Sequence, residues 1–257
     1  MNFISAYYNH NKYPIKEKLA KEFVLRYPEV CMIELAFDDE PFVINAKNTL
    51  QIRTKFKGFV NNECINYYIK LFPDLEFLVF IDSDLILFPD FFEKIKIRMA
   101  SEKGPLFLQP FSTCVEKYDD PKIMSNSLFS SAYHFKNFGK FSFKSHSGYI
   151  YGFNKQFIQL FEKLPESLLL GSWDTFLWLC LTNQAKQIKL LMPNSEILEE
   201  ILKFEEKCDD VEIDFIEGCI AHNFHGNKIL RYSGRLELYK NINEKVIEEY
   251  FLKRSES

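Results

Sequence analysis

The sequence predicts an α/β fold, with a mostly parallel, Rossmann-like central sheet flanked by helices in a single domain. Three observations lead there. Apolar segments of strand length alternate with amphipathic segments of helix length through the first 110 residues. One apolar run, Phe77-Leu78-Val79-Phe80-Ile81, has no polar member, which is the pattern of a strand buried on both faces. The 257 residues, 47% of them hydrophobic, suffice for one domain with a large core.

Residues 2–7 read as a short strand. Ile15, Leu19, Phe23 and Tyr27 recur every four residues and predict an amphipathic helix. Residues 30–36 make a second strand and 50–53 a third. Val60, Cys64, Tyr67, Tyr68 and Leu71 form another helix face. After the strand at 77–81, Pro89 and Asp90 open a helix that turns Phe91, Phe92, Ile95 and Met99 inward. Residues 106–109 are the next strand. Such βαβ alternation gives a mainly parallel sheet. The second half is less regular. Residues 112–145 form a long polar and aromatic connection. A strand at 147–153, helices at 155–164, 173–181 and 196–207, and a last strand at 216–221 follow. Val246, Ile247, Tyr250 and Phe251 mark a C-terminal amphipathic helix over 243–253.

A net charge of −4 argues against a protein whose whole surface grips nucleic acid. None of the six cysteines forms a CxxC pair, so a structural zinc site is not expected. Cys31, Cys64, Cys180 and Cys219 lie in apolar segments and are expected as buried, reduced thiols. The start, Met1 to Ser5, shows no basic region followed by a long apolar run. No stretch is apolar enough to span a bilayer. A cytoplasmic protein is expected.

Three constellations carry chemistry. Asp82-Ser83-Asp84 follows the apolar run 77–81. Two carboxylates ending a buried parallel strand stand at the carboxyl edge of the sheet, where ligands bind in open α/β folds. There they suit a divalent cation that also meets diphosphate oxygens; the bland alternative is a pair of strand-end caps. His222-Asn223-Phe224-His225-Gly226-Asn227-Lys228 follows the last strand, with two of the five histidines on one turn. Imidazole suits Mn²⁺ or Zn²⁺ better than Mg²⁺, and Lys228 can meet phosphate. A structural histidine pair is the alternative. Gly171-Ser172-Trp173-Asp174 opens an otherwise apolar helix. Asp174 is either a helix cap or a general base facing a cleft.

At these residues the chain resembles a family of GT-A-fold glycosyltransferases of bacteria and viruses. The resemblance runs over residues 2–240 as ordered blocks. These are Glu34-Leu35-Ala36-Phe37 with Pro41-Phe42, Gln51-Ile52-Arg53-Thr54, Asn62-Glu63 with Asn66, and Ile81 to Asp84. Gln109 with Phe111-Ser112, His146-Ser147-Gly148-Tyr149, Gly171 with Asp174, and His222 to Gly226 follow. The resemblance implies a GT-A-like domain, with residues 1–110 as the nucleotide-sugar half, 111–240 as the acceptor and catalytic half, and 241–257 as a C-terminal helix. It implies a UDP-sugar donor whose nucleotide meets Ala6, Tyr7, Tyr8, Asp38 or Asp39, Arg53 and Ser83. Asp84 would bind Mn²⁺ or Mg²⁺, with Asp82 toward ribose or metal. His222 or His225 would complete the metal shell, and Asp174 would be the base of an inverting transfer. Asn62 stands where the family usually has Lys, which bears on a phosphate contact. Ser147 replaces a usual Pro, a change expected to matter little. A viral member would work in the host cytoplasm.

Two rivals remain. A nucleotidyltransferase would also carry strand-end carboxylates, but usually with a Gly-rich phosphate loop after the first strand, where Tyr7-Tyr8-Asn9-His10 stands. A non-catalytic carbohydrate-binding protein of the same fold would not need Asp82, Asp84, Asp174 and both histidines. The acceptor is left open: a glycan or lipid-linked glycan is favoured, with modified DNA as the other choice. Its candidate contact is Tyr133 to Lys144, which interleaves aromatics with lysines or forms an ordinary core strand.

Overall fold

The computed structural model of the protein describes residues 1–9, 12–37, 39–54, 61–101, 103–117, 127–165, 173–186 and 195–223. His225, Lys228, Asp38, Val60, Gly171 and the 243–253 segment lie outside them. The expected mostly parallel sheet flanked by helices is the architecture observed. A seven-stranded sheet is built from β1 (Phe3–Tyr8), β2 (Val30–Phe37), β3 (Thr49–Thr54), β4 (Phe77–Ile81), β6 (Leu106–Gln109), β9 (Ile150–Asn154) and β10 (Glu212–Phe215). Its order is β3-β2-β1-β4-β9-β6-β10. All neighbours are parallel except β9, which runs antiparallel to β4 and β6.

The period-two rule assigns the faces. Leu78 and Phe80 of β4 join one apolar cluster, while Phe77, Val79 and Ile81 join the other. The first cluster is covered by α2 (Asn61–Leu71), α5 (Lys155–Phe161), α6 (Trp173–Leu181) and α7 (Ser195–Glu206). The second is covered by α1 (Pro14–Arg26) and α3 (Phe91–Ser101). Burying both faces explains why β4 reads as an unbroken apolar run. No helix among the described residues is long and apolar enough to cross a membrane.

A second sheet of four strands, β5-β11-β7-β8, closes one end. It contains β5 (Leu85–Ile86), β7 (Thr113–Lys117), β8 (Ser127–Phe129) and β11 (Cys219–Asn223). The stretch 112–145 is therefore not one long connection. It holds β7, β8 and α4 (Ser131–Phe138), and the last strand begins at Cys219 rather than residue 216. α4 starts where Ser130 accepts from the Tyr133 N–H at 3.1 Å and stops at Gly139, whose φ of 68° is left-handed. Five cysteines are buried free thiols, but Cys219 is exposed, because it faces outward from the strand that buries Ile220.

The two sheets meet at a glycine. Gly218 accepts from the backbone N–H groups of Ser112 and Thr113 at 3.0 and 3.2 Å, and the Phe88 ring lies against it. A Cβ at Gly218 would run into that ring, which is itself held by Phe91 at 5.2 Å and by Lys94. Gly218→Ala is expected to destabilise the protein by about 1–3 kcal/mol through overpacking. Urea denaturation would measure it, and a midpoint unchanged from the parent would contradict this account.

Candidate active site

Strand order places the site. The chain runs from β1 outward to β2 and β3, then returns to place β4 on the other side of β1. The crevice at this switch point opens at the carboxyl edge. β4 ends there at Ile81, so Asp82, Ser83 and Asp84 stand beside the crevice, each half-buried. β6 ends at the same edge in Gln109. Because β9 runs antiparallel, the turn His146–Tyr149 that feeds it lies there too.

Asp84 and His222 are brought together. The Asp84 Oδ2 to His222 Nε2 distance is 3.4 Å, and both side chains are largely buried. The two residues are carried by strands of different sheets. β4 belongs to the large sheet and β11 to the small one. The antiparallel pairing of β5 with β11 sets Leu85 opposite His222, and the Asn223 N–H donates to the Asp84 carbonyl at 2.9 Å. The other ring nitrogen of His222, Nδ1, hydrogen-bonds to the Tyr149 hydroxyl at 2.9 Å. Two donors to one first-row cation, each about 2.1 Å from it, stand about 3 Å apart when at right angles. The spacing and donor types of Asp84 and His222 fit such an ion. Among the described residues, no group of three or more His, Cys, Asp or Glu side chains is clustered for one.

Tyr149 is the crossing point. Its φ of 81° is rare for an aromatic residue and costs about 1–3 kcal/mol. Its carbonyl accepts the Asp82 N–H at 2.9 Å, and its ring stacks on His146 at 3.6 Å between centroids. Burial, reinforced by Cys114, Glu116, Asp84 and Asp82, pushes its hydroxyl well above the ordinary tyrosine range, so it stays protonated.

Asp174 lies in the first turn of α6 and is tied to the same turn. Ser147 Oγ donates to Asp174 Oδ2 at 2.9 Å, and the Ser147 carbonyl accepts from Trp178 Nε1 at 3.0 Å. Gly148 is glycine for space. A Cβ there would sit 3.1 Å from Asp174 Oδ2 and 3.4 Å from the Tyr151 hydroxyl. Tyr151 is buried, and burial first, then the charges of Asp174 and Asp82, raise its pKa. Both carboxylates therefore face one region.

The nucleotide-side residues gather less completely. Tyr7, Glu34, Ala36, Glu40 and Val43 line a cavity of about 350 Å³ at the ends of β1 and β2. Ala6 is half-buried beside it in β1, and Tyr8 lies under Lys16 at 5.3 Å. Glu34 forms the wall rather than a ligand contact: its carboxylate accepts from the Val43 and Ile44 N–H groups and from Gln51. Arg53 is exposed, donates to the Glu40 carbonyl at 3.0 Å and covers the Phe42 ring at 4.9 Å. Asp39 is exposed and does not line the cavity. A larger cavity of about 710 Å³ between α2 and α5 is lined by Glu63, Asn66 and Tyr67, and by none of the candidate catalytic, metal or nucleotide residues.

The aromatic strip at 133–144 is not a strand. Its first half is α4; Phe141 is buried flat against Trp178, while Phe138 and Phe143 are exposed. Lys136 is engaged by Glu212 and Asp214, and Lys140 and Lys144 are exposed.

Sequence reading gave no role to Gln109, Ser147 or Tyr149, though all three stand in the blocks of resemblance. Gln109 is fully buried. Its Nε2 donates to the carbonyls of His146 and Gly148 at 3.0 and 3.1 Å, and its Oε1 accepts from the Ala132 N–H at 3.0 Å. Gln109→Leu removes three hydrogen bonds from a buried place and is expected to cost roughly 3 kcal/mol. A loss below about 1 kcal/mol in denaturant titration would show that the turn is held by other contacts.

No protein-family model matches the chain, and no curated protein matches its sequence. Solved structures of similar overall path exist. One is a Bacillus anthracis protein assigned as a glucose-1-phosphate thymidylyltransferase, at 10% identity and a TM-score of 0.40 over 95% of this chain and 96% of that one. Another is 4-diphosphocytidyl-2C-methyl-D-erythritol synthase from Anaerococcus prevotii, at 12% and 0.38 over 98% and 96%. A third is the galactosyltransferase LgtC with donor and acceptor sugar analogs, at 9% and 0.33 over 98% and 100%. Similarity at this depth says nothing about what this chain binds.

Proposed function

We propose that the chain is a metal-dependent glycosyltransferase that moves a sugar from a UDP-sugar to an acceptor hydroxyl with inversion. The observation that carries this reading is the pairing of Asp84 with His222 at the sheet's carboxyl edge, with Asp174 held on the same turn. Asp84 and His222 would hold Mn²⁺ or Mg²⁺, with Asp82 beside them. When bound, the cation offsets the charge that grows on the departing diphosphate. His225 is proposed as a further neighbour of the cation, and Lys228 to meet the same phosphates; both follow β11 in the sequence. The nucleoside would enter the cavity walled by Tyr7, Glu34 and Glu40, with Ala6, Tyr8, Asp39, Arg53 and Ser83 around it.

In the reaction, the acceptor oxygen forms a bond to the anomeric carbon from the face opposite the diphosphate. The carbon–oxygen bond to phosphate breaks, and its electron pair leaves with the nucleoside diphosphate. The hydroxyl proton passes to the carboxylate of Asp174, because a carboxylate within hydrogen-bond reach can accept it as attack proceeds. Ser147 occupies the other oxygen and fixes the carboxylate's orientation. Acceptors with sugar hydroxyls, free or lipid-linked, are proposed, with the exposed rings of Phe138 and Phe143 as surfaces on which a sugar could stack.

Two variants test the reading. Asp84→Ala should weaken Mn²⁺-dependent UDP binding by at least about tenfold, measured by calorimetry with and without metal. Asp174→Asn should keep UDP binding and melting temperature while turnover falls about a hundredfold or more. Unchanged metal-dependent binding in the first removes the cation site. Near-parental turnover in the second, or a product that retains the donor's anomeric configuration, removes the base. Pyrophosphate release from a nucleoside triphosphate and a sugar phosphate would point instead to nucleotidyl transfer.

A further inference from the structure

We propose that Tyr149 is a positioning residue whose hydroxyl fixes the His222 ring with its proton on Nδ1, so that the Nε2 lone pair is directed to a cation shared with Asp84. The inference rests on the reading of Asp84 and His222 as cation ligands. Imidazole has two nitrogens, and the hydrogen bond made by one decides which of them offers a lone pair. Here each nitrogen has a defined neighbour. Nε2 faces Asp84 Oδ2 at 3.4 Å, and Nδ1 faces the Tyr149 oxygen at 2.9 Å. A tyrosine hydroxyl accepts as well as donates, so it can take the Nδ1–H.

The hydroxyl is held in place on every side. The Tyr149 ring stacks on His146, parallel to within 11°, and lies 4.6 Å from the His222 ring. The carbonyls of His146 and Gly148, on either side of Ser147, are anchored to buried Gln109. The Tyr149 carbonyl meanwhile fixes the Asp82 N–H. One residue thus sets the backbone of the acidic loop through its main chain and the orientation of the histidine through its side chain.

The first test uses Tyr149→Phe, which keeps the ring and its stacking. Mn²⁺ binding, followed by electron paramagnetic resonance with UDP present, should weaken about tenfold or more. Metal-free UDP binding and melting temperature should stay near those of the parent, which a merely structural role would not combine with lost affinity. The second test needs no variant. Nitrogen-15 NMR of histidine-labelled parent protein, loaded with Zn²⁺ as a diamagnetic probe, should show the His222 proton on Nδ1 and the metal on Nε2. Parental Mn²⁺ affinity in Tyr149→Phe, while His222→Ala has lost it, overturns the role of Tyr149 and leaves the cation site standing. The proton on Nε2 in the zinc-loaded parent overturns it too. Parental affinity in His222→Ala and Asp84→Ala overturns the cation site itself.

Discussion

The side-chain amide of Gln109 is the pin on which the cleft depends. It is fully buried at the end of β6, and its three hydrogen bonds join α4 to the turn that precedes β9. An amide can donate twice and accept in one plane, which is what two carbonyls and one N–H around it require. The turn it holds carries Ser147 toward Asp174 and Tyr149 toward His222, with the Tyr149 carbonyl on Asp82. Groups from β4, α6 and β11, far apart in sequence, converge because each makes its contact to these four residues.

The two-sheet construction answers a geometric difficulty. A parallel sheet puts carboxylates at its edge but gives no strand to carry a facing histidine. The chain solves this by bending after Asp84 into the two-residue β5, which pairs with β11 of the small sheet. β11 also runs beside β7, so that His222 stands opposite Glu116, which is buried. At the far side of the large sheet, Arg98 of α3 reaches Glu212 at 2.8 Å and Asp214 at 2.6 Å and secures β10 as its edge strand.

Much of this was legible in the sequence, for reasons that are local. β4 showed as an apolar run because both of its faces are covered, and the amphipathic periods of α1, α2 and α3 report which side of each helix is buried. Asp84, His222 and Asp174 stood out as candidates because each adjoins an apolar stretch. What escaped detection depends on contacts between distant segments. β10, Glu-Ile-Asp-Phe, reads as too acidic for a strand until Arg98, over a hundred residues earlier, is placed against it. β8 has three residues, too few for any period to show. α4 carries aromatics at spacings that suit a strand as well as a helix, although its Ser130 cap and Gly139 stop were readable signals. The role of Gln109 has no local signature at all.

Ser147 shows how a departure from a family pattern acquires meaning only in three dimensions. A proline before Gly148 would stiffen the turn through its ring, and its replacement was expected to be of little consequence. In the structure the turn is already stiffened by Gln109, so a rigid ring is not required. Serine supplies instead what proline cannot, a hydroxyl that donates to Asp174 Oδ2. Its carbonyl stays tied to Trp178, so the hydroxyl is carried at a fixed position rather than on a free loop. A carboxylate on the first turn of a helix can rotate about two side-chain bonds; Ser147 engages one oxygen, and a Cβ at Gly148 would crowd that same oxygen at 3.1 Å. Orientation here rests on a hydrogen bond made directly to the proposed base.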